Sequence, residues 1–444
     1  MTEEFLYYLW KFRLFDNNKL QTTNGEELHI IKTGDHNSDS GPDFFNARIK
    51  IGKTTWAGNV EIHVNAADWE THKHQHDKAY NNVILHVVYE ADRELKRKNA
   101  RLNDEVGQGE IIPTLELKKR IPQSIYYKYS SFKSSRDWIP CGKQIQNVDS
   151  FTLNHWLDRL LVERLEKKSI PILKSLEQNK YNWEETFYRF LARNFGLKVN
   201  SEPFEMLARS LPYSVLAKHK NSLPQMESLL FGTAGLLEKE FQDSYPKNLK
   251  KEFQFLKQKF KLKSIDSSLW KFMRLHPPNF PTIRISQFAN LIYKSSHLFS
   301  QIIEAATIKQ ITELLRTETS EYWLTHYRFD KTSPKREKTL GNDSINILLI
   351  NTILPFLFVY GKEKGEEKFC DRALSLLEKI EPEKNSIISK WNELEVKTES
   401  AYQTQALLQL KNEYCSQKRC LECSVGAKLL HPSPTLPKGE RVGA

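Results

Sequence analysis

The chain has 444 residues, of which 39% are hydrophobic, 11% aromatic and 27% charged, with only 17 Gly and 18 Pro. At roughly 100–200 residues per domain this predicts two or three folded domains and excludes a single small module, a fibrous chain or a disordered one. The 66 Lys and Arg exceed the 55 Asp and Glu by 11; residues 1–150 hold 21 of each sign, so the whole excess, 45 against 34, lies beyond them and points to a polyanionic partner there.

The opening MTEEFLYYLWKF is acidic where a secretory signal is basic, and no small-residue cleavage site follows it. Five cysteines in this length do not form a disulfide framework, so a cytoplasmic location is expected. The most apolar stretch, Ile345 to Tyr360, is interrupted by Asn346, Asn351, Thr352 and Pro355 and falls short of the about 20 residues a membrane span needs. It reads as a buried helix, with no membrane partner.

In chain order, Phe5, Leu6, Leu9, Trp10 and Phe12 recur at helical spacing over residues 3–15. Strand-type runs follow at Glu27–Thr33, Phe44–Ile51, Trp56–Val64, Val83–Glu90 and Ile111–Leu117, with a polar segment, Asp68 to Asn82, long enough for two or three helical turns. The pattern predicts an α/β domain over 1–135. From Phe151 onward apolar residues recur every three or four positions, which predicts a larger, mostly α-helical domain over 150–430. His276-Pro277-Pro278-Asn279-Phe280-Pro281 breaks it as a hinge or shaped loop, and the proline-rich 431–444 is expected to be a disordered tail.

Seven of the 13 histidines fall between residues 29 and 86. In the strand GNVEIHV alternation puts Glu61 and His63 on one face and Val60, Ile62 and Val64 on the other. A hairpin at Gly52-Lys53 brings Asp43 level with this pair, but regular register leaves it on the apolar face, so a bulge or bend at Pro42-Asp43 is required. Two carboxylates at close range repel unless a cation lies between them, and oxygen ligands suit Mg²⁺ or Mn²⁺, which serve phosphodiester hydrolysis. His63 joins the ion or accepts a proton from water. In the polar segment, a helix would set His72 and His76 four apart as zinc ligands beside Asp77, or turn His74 and Asp77 toward the Glu61 strand. A solvated helix face anchored by Trp69 and Tyr80 explains the same residues. Glu3 and Glu4 suit the start of a helix dipole.

Pro42-Asp43, 17 intervening residues, then Glu61-x-His63, in the order αβββαβ, resembles the PD-(D/E)xK nuclease superfamily over about the first 120 residues. The resemblance implies a restriction-endonuclease-like fold, with Asp43 and Glu61 on the metal and an extra acidic group on the first helix. His63 stands where that family has Lys and supplies no permanent positive charge. The strings GPDFFNARIKI, GNVEIHV, DWETHKHQHDKAYNNVILHVVYE, HPPNFPTIRISQFA and CxxxxCLEC also resemble an uncharacterised bacterial family of unknown function, over nearly the whole chain.

Cys415-x4-Cys420-x2-Cys423 could face one Zn²⁺ or an iron–sulfur cluster, with Cys370 or His431 as fourth ligand and Cys141 standing alone. Nucleases of the kind above include some with one remote and three nearby cluster cysteines. Between Lys247 and Arg274 nine basic residues interleave with Phe253, Phe255, Phe260, Trp270 and Phe272, so Lys250, Lys251, Lys257, Lys259, Lys261 and Lys263 are candidate nucleic-acid contacts, or the outer face of an amphipathic helix. Lys331 to Lys338 reads as a solvated loop. Together these features predict a metal-dependent nuclease. The alternatives are a zinc- or manganese-dependent small-molecule hydrolase built on His63, His72, His74 and His76, or a non-catalytic nucleic-acid-binding protein on a degenerate nuclease fold.

Overall fold

The computed structural model describes residues 1–97, 110–295 and 297–431; the tail expected at 431–444 lies outside them after His431. The first helix, α1 (Glu3–Phe12), is capped by Thr2, whose hydroxyl accepts the Phe5 N–H, and it ends where Arg13 takes left-handed backbone. Phe5, Leu6, Leu9 and Trp10 are fully buried, while Phe12 stays exposed.

The strands are β1 (Leu28–Lys32), β2 (Asp35–His36), β3 (Phe44–Ile51), β4 (Thr54–Asn65) and β5 (Val83–Glu90), then the short β6 (Lys96–Arg97), β7 (Glu110–Ile111) and β8 (Thr114–Glu116). They form a mixed sheet in the order β1-β3-β4-β5-β8, with β2 beside β3 and the β6–β7 pair apart. β3 and β4 are antiparallel through the two-residue turn Gly52-Lys53, where Gly52 has a φ of 55°. β4–β5 and β5–β8 are parallel. Central parallel strands are covered on both faces, which is why VILHVV of β5 is apolar without alternation and buried throughout. A Cβ at Gly58 would lie 2.5 Å from Ile84 Cγ2 and 2.6 Å from the Asn82 carbonyl, so only glycine lets β5 begin this close to β4.

The described chain forms two compact units, one built from Met1–Trp156 with the chain from Lys411 onward, the other from Leu157–Leu410. The sequence pattern puts the division between residues 135 and 150 and leaves the cysteine segment with the helices. In the structure the division follows Trp156, α3 (Gln123–Ser134) lies within the α/β unit, and the cysteine segment returns to that unit. The tie includes Lys128 Nζ, which donates to the Leu429 carbonyl at 3.0 Å.

The second unit is helical. The proline-rich break is a helix start rather than a hinge: Pro277–Asn279 makes one 3₁₀ turn, Pro281 opens the helix Pro281–Lys294, and Arg284 bonds Asn279 Oδ1 at 2.6 Å. Most of residues 331–337 are exposed as expected, but Lys338 at the end of the stretch is buried, donating to the Trp323, Leu324 and Arg336 carbonyls. Asn342–Lys364 has the length and composition of a membrane span, and most of it is buried inside this unit.

Candidate functional site

The approach of Asp43 to Glu61 depends on one extra residue in β3. Pairing runs regularly from Ile51↔Thr54 to Ala47↔Gly58, and continued unbroken it would set Asp43 opposite Ile62. Between Ala47 and Phe44 the register shifts, so that Phe44 pairs with Val60 and Asp43 moves opposite Glu61. Asn46 absorbs the bulge with a φ of 57°, a left-handed conformation that Asn tolerates better than most residues. The expected irregularity is therefore present, three residues later than the Pro42-Asp43 bend inferred from sequence.

The two carboxyl groups then clasp each other's backbone. Glu61 Oε2 accepts the Asp43 N–H at 3.1 Å, and Asp43 Oδ2 accepts the Ile62 N–H at 2.8 Å. Each keeps one oxygen for another partner. Glu61 Oε1 stands 3.6 Å from His63 Nε2 and 3.3 Å from His74 Nε2. The second contact lacks hydrogen-bond alignment, and His74 Nε2 is a buried nitrogen with no partner. His63 Nε2 also lies 3.2 Å from His72 Nδ1, and donor atoms of His63, His72 and His74 all fall within 4.8 Å of one another.

His63 is held from behind by His86, which pairs with Glu61 in β5 and is fully buried. His63 Nδ1 and His86 Nε2 are 2.8 Å apart. With the proton of this bond on His63 Nδ1, the Nε2 lone pair is turned toward Glu61, His72 and His74, the arrangement a metal-binding imidazole requires.

Burial sets the protonation of the cluster. It raises the Asp43 carboxyl above the usual range, reinforced by the Glu61 charge and opposed by the Ile62 N–H and the Tyr7 hydroxyl. Burial likewise raises Glu61, against the Asp43 N–H and with the help of Glu3. Burial, followed by the charges of His86, His74 and His72, pushes His63 down to about 2; burial followed by His74 pushes His86 down to about 3. His74 is lowered by burial, against the pull of Asp43, Asp77 and Glu3. Without a cation the pocket favours neutral acids beside neutral imidazoles.

The polar segment is not one helix. Helix α2 (Asp68–Thr71) stops after four residues, Lys73 takes left-handed backbone, and His74–His76 forms a separate 3₁₀ turn. The break removes the expected His72/His76 face: His72 and His74 turn to His63, while His76 is exposed. Asp77 is likewise exposed and caps the next turn by accepting the Ala79 N–H at 2.9 Å. Tyr80 stacks on His74 at 3.8 Å, and burial pushes its hydroxyl up to about 12.

Three contributors stand outside the Asp43 to His63 motif, and one of them, Glu3, is where the resemblance puts an extra acidic group on the first helix. Glu3 and Tyr7, four apart on α1, reach the cluster: Tyr7 hydrogen-bonds Asp43, and Glu3 is raised mainly by burial while feeling His72 and His74. The signal for them was their i, i+4 spacing on an otherwise apolar helix. Glu4, by contrast, faces Lys133 at 3.3 Å. His86 is the third, concealed within an apolar strand.

The remaining candidates fall elsewhere. Cys415, Cys420 and Cys423 lie in the α/β unit with Cys141, and Cys370 lies in the helical unit, where it bonds the Phe358 carbonyl at 3.4 Å. His431 packs edge-on against Tyr8 and Phe12. In the helix Ser244–Phe260, Phe253 is buried and Phe255 exposed, and beyond it Trp270 is buried, bonding the Ala234 carbonyl. Lys250 is held by Glu240 and the carbonyls of Glu238 and Lys239; Lys251, Lys257, Lys259, Lys261 and Lys263 are exposed. The buried Glu227 accepts from Tyr245, Ser286 and Ser320 at 2.8 Å each, a satisfied structural network.

The sequence model of a family described as Protein of unknown function (DUF2851) matches residues 3–386, which includes the whole Asp43–His86 cluster and excludes the Cys415–Cys423 segment. No curated protein and no solved structure matches the chain.

Proposed function

The chain belongs to this family, whose description carries no activity, and we propose from the geometry of its α/β unit that it is a divalent-metal-dependent phosphodiester hydrolase, a nuclease on a restriction-endonuclease-like sheet. The observation that carries the reading is the β3 bulge, which sets the half-buried Asp43 opposite the buried Glu61, whose carboxylate faces His63 and His74. Two acids and a partnerless imidazole nitrogen suit a cation with affinity for both oxygen and nitrogen, so Mn²⁺ fits better than Mg²⁺.

Asp43 Oδ1, Glu61 Oε1 and the ring nitrogens of His63 and His74 would hold the ion. Bound there, it would acidify a water and neutralise charge on a phosphoryl oxygen. The Asp43 and Ile62 N–H groups and the Tyr7 hydroxyl fix the two carboxylates, and His86 fixes the ring of His63. His63 is taken as a ligand, because its ring is buried and its Nδ1 is held by His86. His72, exposed at the rim, is the imidazole placed to take a proton from water and release it. The exposed lysines of residues 251–263 are candidate phosphate contacts.

A second reading rests on His63, His72 and His74 alone: three imidazoles within 4.8 Å also suit Zn²⁺ and small-molecule hydrolysis. A non-catalytic nucleic-acid-binding role is the third, invited by His63 in place of the family Lys. Cleavage of end-labelled DNA and RNA with Mn²⁺, Mg²⁺ or Zn²⁺ separates them. The nuclease reading expects Mn²⁺-supported cleavage that falls at least 100-fold in Asp43→Asn and Glu61→Gln. Cleavage undiminished in both variants, or salt-sensitive binding without cleavage under any metal, overturns it.

A further inference from the structure

A cavity of about 430 Å³ opens in the helical unit where four stretches of chain meet. They are the turn after the helix Leu223–Thr233, the loop that follows the helix Ser244–Phe260, the start of the helix Pro281–Lys294, and the hairpin of the strands His326–Arg328 and Lys331–Thr332. Its walls are tied to one another. Gly235 has a φ of 72°, and a Cβ there would lie 2.3 Å from the Ile265 carbonyl oxygen, so only glycine lets the turn and the loop close on each other. The Trp270 indole donates to the Ala234 carbonyl at 2.8 Å, and the Thr282 hydroxyl donates to the Tyr327 carbonyl at 2.6 Å, which holds the hairpin on its helix.

The hairpin carries an unfavourable pair. Arg328 and Lys331 are directly opposed across it, so they share one face, and like charges opposed in this way repel. Both are exposed and both line the cavity, as does Lys239 from the turn after Thr233. Against these three cations the lining sets one acid, Glu238, and among the described residues none of the three forms an ion pair with a carboxylate. Asp330, in the turn between the strands, instead accepts the Gln242 and Asp243 N–H groups on its Oδ1. Arg328 is also held in place: its guanidinium carbon lies 4.8 Å from the centre of the Phe272 ring and 5.0 Å from that of Phe280, in the proline-rich break. Yet none of its side-chain N–H groups donates to a protein acceptor among the described residues. A guanidinium fork immobilised by two rings, with its donors unused, suits an oxyanion that accepts two parallel hydrogen bonds. The half-buried Phe272 ring lines the same cavity with Leu236 and Phe329, so the cations border an apolar, aromatic wall.

We propose that this cavity binds one nucleotide, its phosphate among Arg328, Lys331 and Lys239 and its base against Phe272. A phosphate lying between Arg328 and Lys331 removes their repulsion, and the volume falls in the range of small-molecule sites. Only an unpaired base reaches Phe272, so the ligand is a free nucleotide or one unit of a single strand, and not a duplex. The site lies wholly within residues 235–331 of the helical unit, and it holds a nucleotide whether or not Asp43 and Glu61 cleave one.

The test is calorimetric titration of the full chain in EDTA with adenosine monophosphate, adenosine, inorganic phosphate, a short single-stranded oligothymidylate and a DNA duplex. Adenosine monophosphate should bind once per chain, with adenosine and phosphate each weaker by about tenfold or more, and the duplex weaker than the single strand. Oligothymidylate bound more tightly than the mononucleotide marks a site for strands, and the reverse order a site for free nucleotides. Phe272→Leu should weaken adenosine monophosphate about tenfold. Lys331→Glu gives Arg328 a partner within the hairpin, so it should abolish binding while Tm holds or rises, which separates loss of the site from loss of the fold. EDTA keeps any cation off Asp43 and Glu61, so this titration and the cleavage assay fail separately. Phosphate bound as tightly as adenosine monophosphate, no binding of any probe at about 1 mM, or wild-type affinity in both Phe272→Leu and Lys331→Glu would overturn the proposal.

Discussion

Glu61→Gln tests the carboxylate pair most directly, because Gln retains an oxygen to accept the Asp43 N–H and removes only the charge. Side chains directly opposed on paired strands have Cβ atoms about 5 Å apart, and two unit charges at that spacing repel by about 3 kcal/mol at an effective dielectric of about 20. Both acids have folded pKa values above their unfolded ones. The folded state therefore binds more protons than the unfolded state, and the stability this confers is complete at acid pH and lost as pH rises through the folded values. Metal-free Glu61→Gln should thus be more stable than wild type at pH 8.5, by about 1–3 kcal/mol or several degrees in Tm, with the difference shrinking toward zero at pH 5.5. Mn²⁺ should reverse the order: at about 100 times its Kd it adds about 2.7 kcal/mol to the wild type and little to the variant. Scanning calorimetry at the two pH values, with and without Mn²⁺, measures all four quantities. A variant destabilised equally at both pH values that keeps the full Mn²⁺ shift would refute the reasoning.

Asn46→Val forces a β-branched residue into left-handed backbone, so it should cost about 1–3 kcal/mol and weaken Mn²⁺ binding, while Asn46→Gly preserves both; thermal melts and metal titration check this. His86→Leu fits the apolar strand but frees His63 Nδ1, and metal affinity should fall about 10- to 100-fold in a competition assay. The same variant tests acid stability. His63 and His86 have depressed folded values, so their contribution is complete above the unfolded value near about 6.5 and is lost as pH falls below it. The wild type should therefore lose more stability than His86→Leu between pH 7 and pH 5 in urea titrations. Lys257→Glu with Lys259→Glu and Lys263→Glu should weaken single-strand binding and flatten its salt dependence, measured by fluorescence anisotropy between 50 and 200 mM salt.

Strands β3, β4 and β5 were legible in the sequence because their residues are β-branched or aromatic and bounded by turn signals, and the alternation of β4 was enough to put Glu61 and His63 on one face. The side of the sheet on which Asp43 lies was not. It depends on a one-residue slip, and a slip leaves no periodic trace beyond an Asn that tolerates left-handed backbone. The polar segment misled for a related reason: i, i+4 spacing presumes an unbroken helix, whereas a left-handed Lys73 after one turn exchanges His76 for His74. His86 was hidden in an apolar strand, where an imidazole becomes informative only once its cross-strand neighbour is known.

The same limit decided the cysteines. Spacing grouped Cys415, Cys420 and Cys423, since three thiols within nine residues share one local turn. The sequence leaves the fourth partner open between Cys370 and His431. In the structure Cys370 lies in the unit Leu157–Leu410 and bonds the Phe358 carbonyl, while the polypeptide from Lys411 onward docks on α3 and the segment after Cys141. Lys128 at the Leu429 carbonyl and Lys418 at the Lys133 carbonyl fasten that dock through backbone acceptors, which no side-chain pattern reveals.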